Sequence, residues 1–199
     1  LDLGVDISVQ ALTKYAVGHA DAFGGAVMSR DAHVAQQIID CGDDWGLSLA
    51  PDDAYTALRG LRTLKTRMEA HEAAGLKLAN WLAGHPGVSQ VLHPALESHP
   101  DHALWKRDFT GANGLFSIVL HPVEPEALNR FLDALELFSM GFSWGGYESL
   151  ILPADPTSVR TATKWDNTDP LIRIHVGLEA VDDLIADLKS GFDRLNAAK

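Results

Sequence analysis

The chain has 199 residues and a formal net charge of −11, with 16 Lys and Arg against 27 Asp and Glu. Its hydrophobic share of 46% and charged share of 22% are typical of a soluble globular protein, and no apolar run is long enough to cross a bilayer. The acidic balance and the scattered basic residues argue against a nucleic-acid partner, so a small molecule or a protein is expected instead.

The cysteine content and the first residues indicate the cellular compartment and the extent of the chain. Cys41 is the single cysteine and cannot form a disulfide within the chain, so we interpret it as a structural thiol in a reducing compartment, and we expect a cytoplasmic protein. The first six residues have neither an initiator Met nor the order of a signal peptide. We therefore expect the chain to be part of a longer protein.

A strand, a loop and a second strand are predicted first. Apolar residues alternate with small or polar ones over positions 3–9, which is the period of a strand with one buried face. A turn-rich stretch and a second apolar run at 26–28 follow. Lys14 stands where the first strand enters the loop, an address that suits an amine held in a cleft as a nucleophile. An ordinary surface lysine is the alternative.

Helices are predicted over 31–40, ended by Gly42, and over 51–83, where Gly60 indicates a kink or a close contact. The last predicted helix follows residue 180, with apolar residues at helical spacing up to Leu195. Between them, strands near 88–92, 115–120, 137–140 and 171–176 alternate with a helix at 125–134. This order predicts an α/β fold.

Two further segments carry chemistry. Residues 143–150 read SWGGYESL, which alone indicates a tight turn flanked by aromatic residues. In residues 171–179, Arg173 alternates with apolar neighbours, so it is either an edge residue with its charge in water or a planar fork held for a carboxylate. His93, His99 and His102 lie close together, but they lack a spacing typical of a metal site, and no metal is expected.

Taken together, residues 11–21, 143–150 and 171–179 resemble the Cys/Met metabolism family of pyridoxal-phosphate (PLP) dependent enzymes, in the family's order. The resemblance runs through nearly all of the chain and implies the α/β fold of fold-type I, aspartate aminotransferase-like enzymes. Residues 1–60 would be the C-terminal end of the large PLP-binding domain, and 61–199 the C-terminal small domain. The family's long region before the lysine, with further cofactor contacts, has no counterpart here.

The resemblance also implies a role for each matching residue. Lys14 would be the catalytic lysine that carries PLP, and Thr13 would contact its phosphate. Ala11 and Ala20 stand where much of the family has serine, so a phosphate contact from the first serine is not available. The substrate-binding residues would be the wall residues and the carboxylate-binding arginine: Ser143, Trp144 and Arg173.

With Trp144 in its second position, the segment 143–150 resembles that of the bacterial cystathionine β-lyase subgroup. The implied reaction is PLP-dependent β-elimination of L-cystathionine to homocysteine, pyruvate and ammonia, a step of methionine biosynthesis. A γ-lyase, a broad cysteine-S-conjugate β-lyase and an inactive fragment remain alternatives. For the full-length enzyme the resemblance implies a homotetramer with an amino-acid substrate, and no membrane or nucleic-acid partner.

Overall fold

The computed structural model describes residues 1–196, in which helices and strands alternate. The strands are β1 (Ile7–Ala11), β2 (Gly25–Ser29), β3 (Val88–Leu92), β4 (Leu115–Leu120), β5 (Ser139–Met140), β6 (Leu150–Pro153) and β7 (Leu171–His175). The helices are α1 (Ala32–Asp44), α2 (Pro51–Leu61), α3 (Leu64–Ala83), α4 (His102–Asp108), α5 (Pro125–Asp133) and α6 (Val181–Asn196). Within the described range, no helix has the length and apolar character needed to span a bilayer.

The chain forms two compact units, Leu1–Lys65 (the first unit) and Thr66–Lys199 (the second unit). The boundary falls in the first turn of α3. Residues 197–199, which belong to the small domain in the sequence-based assignment, lie outside the described residues. The assignment of the two segments to a large and a small PLP-enzyme domain stays a prediction.

The first unit contains the predicted strand–loop–strand element. β1 pairs antiparallel with β2, with Val9 opposite Val27. The predicted strand begins too early, because Leu3 and Val5 precede β1 and Gly4 between them has a φ of +92°. The expected buried face is also wrong for this structure, since Val9 is 71% exposed.

Helix α1 begins after Asp31, whose carboxylate accepts hydrogen bonds from the backbone N–H groups of His33 and Val34. The helix continues through Gly42 to Asp44, so the predicted end at Gly42 is wrong. The chain turns at Gly46, which has a φ of +66°. Glycine adopts this left-handed conformation without the steric cost that a side chain would bring.

The single helix predicted over 51–83 is two helices, α2 and α3, separated by Arg62 and Thr63. The close contact predicted at Gly60 is confirmed within the first unit. A Cβ at this position would lie 2.2 Å from the Ala16 carbonyl oxygen and 2.5 Å from that of Val17. Only glycine lets the backbone of α2 approach the backbone of the lysine loop this closely.

The second unit is built on a five-stranded sheet in the order β3-β4-β7-β6-β5. Its neighbouring strands are antiparallel except for the parallel pair β5 and β6. The sequence analysis missed β6 and α4, and the strand predicted over 137–140 is only Ser139–Met140. The core contains Ile172 and Ile174 of β7 together with Phe131 of α5 and Leu188 of α6, each 0% exposed. β7 thereby turns alternate residues toward the core and the others, including Arg173, toward the opposite face.

Candidate active-site residues

Lys14 lies in a turn directly after β1. Val17 N donates to the Leu12 carbonyl oxygen at 2.9 Å, and Gly18 N donates to the Lys14 carbonyl oxygen at 2.8 Å. These bonds fold the chain back at the end of the strand, and Lys14 is half-buried there. Lys14 therefore belongs to a turn that backbone hydrogen bonds fix. The expectation that its amine lies in a cleft as a nucleophile stays a prediction.

Thr13 closes the neck of the same loop. Its Oγ1 accepts a hydrogen bond from Gly24 N at 3.1 Å and donates to the Gly24 carbonyl oxygen at 3.2 Å. Leu12 N also donates to Gly24 O, at 2.9 Å. The Thr13 hydroxyl hydrogen would have to leave Gly24 O before it could donate to a phosphate, because a hydroxyl has one donor.

Arg173 lies on β7 in the second unit, with its guanidinium against the loop that follows β5. Its Nη2 donates to the carbonyl oxygens of Gly141 (3.2 Å), Phe142 (2.6 Å) and Ser143 (3.4 Å). Within the described residues, Nε and Nη1 make no hydrogen bond, so these donors are available to a ligand. Burial lowers the pKa of Arg173 from its usual value, but an arginine side chain stays charged in a protein.

The segment 143–147 turns sharply beside Arg173. Ser143 is exposed and Trp144 is half-buried, and the guanidinium carbon of Arg173 lies 5.6 Å from the centre of the Trp144 ring. Gly145 has a φ of +84°, a conformation that a side chain at this turn would strain. The second unit thus brings three of the predicted residues together: Ser143, Trp144 and Arg173. The other two, Thr13 and Lys14, lie in the first unit.

Hydrogen bonds fasten the end of this turn to the segment after β7. Ser149 donates to the Glu179 carboxylate twice, from its backbone N–H and from its Oγ, both at 2.7 Å. The Ser149 Oγ also accepts from Gly177 N at 2.9 Å, and Leu178 N donates to the Tyr147 carbonyl oxygen at 2.8 Å. Sequence reasoning quoted these residues but assigned them no role.

Two buried histidines behind the turn were missed altogether. His175 is 1% exposed and His71 is 0% exposed, and their ring centres lie 5.5 Å apart. His71 Nδ1 lies 2.9 Å from the Val176 carbonyl oxygen. Burial lowers the pKa of both rings, that of His175 to about 4. The position of His175, two residues after Arg173 on a predicted strand, was a signal that it shares the arginine's face; nothing in the sequence signalled His71.

The other histidines that cluster in the sequence make ordinary turn contacts. His93 Nδ1 accepts from Ala95 N at 3.2 Å, and His99 Nδ1 accepts from Asp101 N at 3.1 Å. His102 Nδ1 lies 3.0 Å from the Pro94 carbonyl oxygen. Over residues 1–196, the His, Cys, Asp and Glu side chains form no group of three that could hold a metal ion.

Comparison with known proteins decides the family. Residues 1–193 match the model of the family described as Cys/Met metabolism PLP-dependent enzyme. The chain belongs to this family. It is 49% identical to a cystathionine beta-lyase of Salmonella typhimurium, and equally to one of Escherichia coli, over 98% of the chain and 50% of each relative. It therefore spans about half the length of the curated relatives it matches.

The fold agrees with this membership. A solved structure of cystathionine gamma synthase from Xanthomonas oryzae pv. oryzae superposes with a TM-score of 0.88 at 38% identity, covering 100% of this chain and 52% of that one. The predicted α/β architecture of a fold-type I PLP enzyme is confirmed. The family's cofactor is PLP. Lys14 fits such a cofactor in one respect: it is a half-buried lysine on a turn that backbone hydrogen bonds hold.

Proposed function

We propose that the protein containing this chain cleaves the carbon–sulfur bond of L-cystathionine by PLP-dependent β-elimination, releasing homocysteine, pyruvate and ammonia with the uptake of water. The observation that carries the proposal is the similarity, over nearly the whole chain, to relatives named cystathionine beta-lyase. A relative named cystathionine gamma-lyase, from Dictyostelium discoideum, is more distant, at 36% identity. The whole enzyme's reaction would then be a step that supplies homocysteine for methionine biosynthesis.

Lys14 is the proposed catalytic residue. Its ε-amine would hold PLP, and during turnover the same nitrogen would act as the acid–base group. The Lys14 Nζ would then remove the proton from the substrate α-carbon and return a proton to the departing sulfur. Bound PLP supplies the electron sink that makes the α-proton removable. Thr13 would contact the cofactor phosphate, after its hydroxyl hydrogen leaves the Gly24 carbonyl.

Arg173 is proposed to bind the substrate carboxylate, with Ser143 and Trp144 as the adjacent wall. The support is geometric: Nη2 anchors the guanidinium, and the charged Nε and Nη1 donors, which lie on opposite edges of the group, are each placed to donate one hydrogen bond to a carboxylate. A carboxylate held in this way would fix the orientation of the substrate α-carbon, and this orientation would select the bond that breaks.

The test is product analysis on the purified natural protein, loaded with PLP and supplied with L-cystathionine. β-Elimination predicts pyruvate and homocysteine in equal amounts, with neither product in a Lys14→Ala variant. Formation of 2-oxobutyrate and cysteine instead would replace the proposal by γ-elimination. No carbon–sulfur cleavage by the loaded protein, with cystathionine or with cysteine S-conjugates, would reject a lyase altogether.

We also propose that the complete enzyme is a cytoplasmic homotetramer. The support is the family membership, from which the sequence analysis derived this assembly. Native mass spectrometry of the complete protein should give four times the subunit mass. A monomer over the micromolar range would reject the assembly.

A further inference from the structure

A buried hydrogen bond joins His175 to the backbone beside Trp144. His175 Nε2 lies 3.1 Å from Gly145 N and 3.2 Å from the Gly146 carbonyl oxygen. His175 is 1% exposed, and Gly145 is buried as well. The ring nitrogen therefore makes its contacts with the turn away from bulk water.

One ring nitrogen serves one of these two groups at a time. If Nε2 accepts, it satisfies the Gly145 N–H; if it carries the proton, it donates to Gly146 O and leaves a buried N–H without this acceptor. A neutral ring has one proton, so if Nε2 accepts, Nδ1 carries that proton; the Gly145 N–H is then satisfied, and the Gly146 carbonyl keeps an unused lone pair, which costs little. We therefore assign Nε2 as the acceptor, which requires an imidazole that is unprotonated on this atom. Burial, which lowers the pKa of His175 to about 4, favours the neutral ring.

The same strand holds the turn at two places. Arg173 and His175 lie on one face of β7, since they are two residues apart. Arg173 Nη2 donates to the carbonyl oxygens of residues 141–143, and His175 Nε2 accepts from Gly145 N. Trp144 is the residue between these two attachments. Its ring lies within cation–π range of the Arg173 guanidinium, and the backbone N–H of the next residue, Gly145, is bound by His175.

The geometry points to His175 as a positioning residue, which holds the Gly145 amide and so keeps Trp144 against Arg173 in the substrate-binding wall. The role of the wall rests on the proposed function; the attachment of Trp144 to His175 does not. Without the His175 acceptor, the turn would lose one of its two attachments to β7. Trp144 would then sample positions in which it no longer lines the carboxylate site.

A matched pair of substitutions isolates the hydrogen bond from the bulk of the side chain. Gln places an amide oxygen near the position of His Nε2, whereas Met has a similar length and volume but only a weak acceptor. His175→Gln should therefore keep the bond to Gly145, and His175→Met should lose it. His93→Met is the control for removal of a buried histidine, because His93 is 3% exposed in the second unit and contacts Ala95, outside the turn.

The first measurement does not depend on catalysis. The natural protein is labelled with 5-fluorotryptophan, and the ¹⁹F resonance of Trp144 is identified by its loss in Trp144→Phe. His175→Met should shift and broaden this resonance, while His175→Gln and His93→Met leave it close to that of the unsubstituted protein. If His175→Met does not fold, His175→Asn replaces it, because the shorter side chain cannot reach Gly145. An unchanged Trp144 resonance in the folded variant without the bond would overturn the inference.

The second measurement is steady-state cleavage of L-cystathionine. His175→Met should raise KM about ten-fold or more with a smaller effect on kcat, corresponding to about 1.4 kcal/mol per ten-fold, and His175→Gln should restore most of the loss. Equal losses in the Gln and Met variants would reject a role for the acceptor. A displaced Trp144 resonance in a protein without any lyase activity would leave the positioning role intact and reject the proposed function instead.

Discussion

The guanidinium carbon of Arg173 lies 5.6 Å from the centre of the Trp144 ring, and the same side chain donates to the backbone just before that tryptophan. The guanidinium is limited in its position, because Nη2 donates to three carbonyl oxygens and its charge lies within cation–π range of the ring. The proposed carboxylate-binding residue on β7 and the proposed wall residue on the turn 143–147 are thus neighbours.

Arg173→Lys should lower kcat/KM for cystathionine about 30- to 100-fold while PLP content stays unchanged. Lysine keeps the charge but loses the planar fork, a loss of about 2 to 3 kcal/mol where a bidentate pair is made. Arg160→Lys is the matched control, because Arg160 also lies over a tryptophan, 5.3 Å from the Trp165 ring centre, outside the proposed site. Loss of PLP with unchanged substrate affinity in Arg173→Lys would assign Arg173 to the phosphate instead.

Lys14→Ala should abolish turnover and the visible absorbance of the bound cofactor, because alanine has no amine to hold PLP or to transfer the proton. Lys77→Ala is the control: Lys77 makes an exposed ion pair with Asp182 at 2.6 Å, an interaction worth no more than about 1 kcal/mol. Absorbance spectra and pyruvate release are measured for both variants, and only Lys77→Ala should keep both signals. Normal absorbance and rate in Lys14→Ala would remove the assignment.

Gly60→Ala should destabilise the first unit by more than about 2 kcal/mol and weaken PLP binding. The new methyl group would overlap the carbonyl oxygens of Ala16 and Val17, which are backbone atoms of the lysine loop and cannot rotate away. Gly42→Ala, in the last turn of α1, is the control, since the nearest atom to its Cβ is the Leu47 carbonyl oxygen at 3.9 Å. Chemical unfolding and PLP titration should separate the two variants; equal behaviour would contradict the close contact.

Glu179→Gln should lower the free energy of unfolding by about 1 to 3 kcal/mol. The carboxylate accepts from the Ser149 N–H and Oγ, and an amide puts an NH₂ group against one of these donors in a buried place. Glu148→Gln changes the same residue type on the exposed side of the turn and should stay within about 0.5 kcal/mol. Urea unfolding measures both. A Glu179→Gln protein as stable as the Glu148→Gln protein would show that the Ser149 contacts contribute nothing.

Stability should fall as pH is lowered from 6.5 toward 4. Burial, opposed by the Gly146 carbonyl, holds the His175 pKa at about 4; His71 and Arg173 lower it further and Glu179 raises it. An unfolded histidine has a pKa of 6.5. Between these values the unfolded chain binds more protons, so the contribution of His175 is complete above pH 6.5 and is lost on acidification, by at most roughly 3 kcal/mol.

The pH measurement uses urea unfolding of the natural protein and of His175→Gln at several pH values from 7.5 to about 4.5. The variant should lose less stability over this window, because glutamine does not titrate. In both proteins the free energy of unfolding should still fall somewhat on acidification, because burial also lowers the pKa of His71, His85 and His93. Identical slopes for the two proteins would mean that His175 titrates normally in the folded state.

Much of the local structure followed from the sequence. The alternation of apolar and other residues predicted β3, β4 and β7, and the helical period predicted α5 and α6, because each of these elements buries one face against the same core. Gly60 predicted a close approach of two backbones, because a glycine in a helix lowers helix propensity and leaves space where a side chain would stand. The errors fell where contacts override local pattern: α1 continues through Gly42, and the 51–83 helix breaks at Arg62 and Thr63.

The sequence by itself determined which residues are candidates for chemistry, since the lysine turn, the turn at 143–147 and the arginine strand are each contiguous segments with readable motifs. Only the tertiary structure decided how the turn is held. His71 is 105 residues from its Val176 partner, and Ser149 and Glu179 are 30 residues apart. Such contacts depend on how β6, β7 and α3 pack, and a one-dimensional pattern carries no information on which distant buried polar groups satisfy one another.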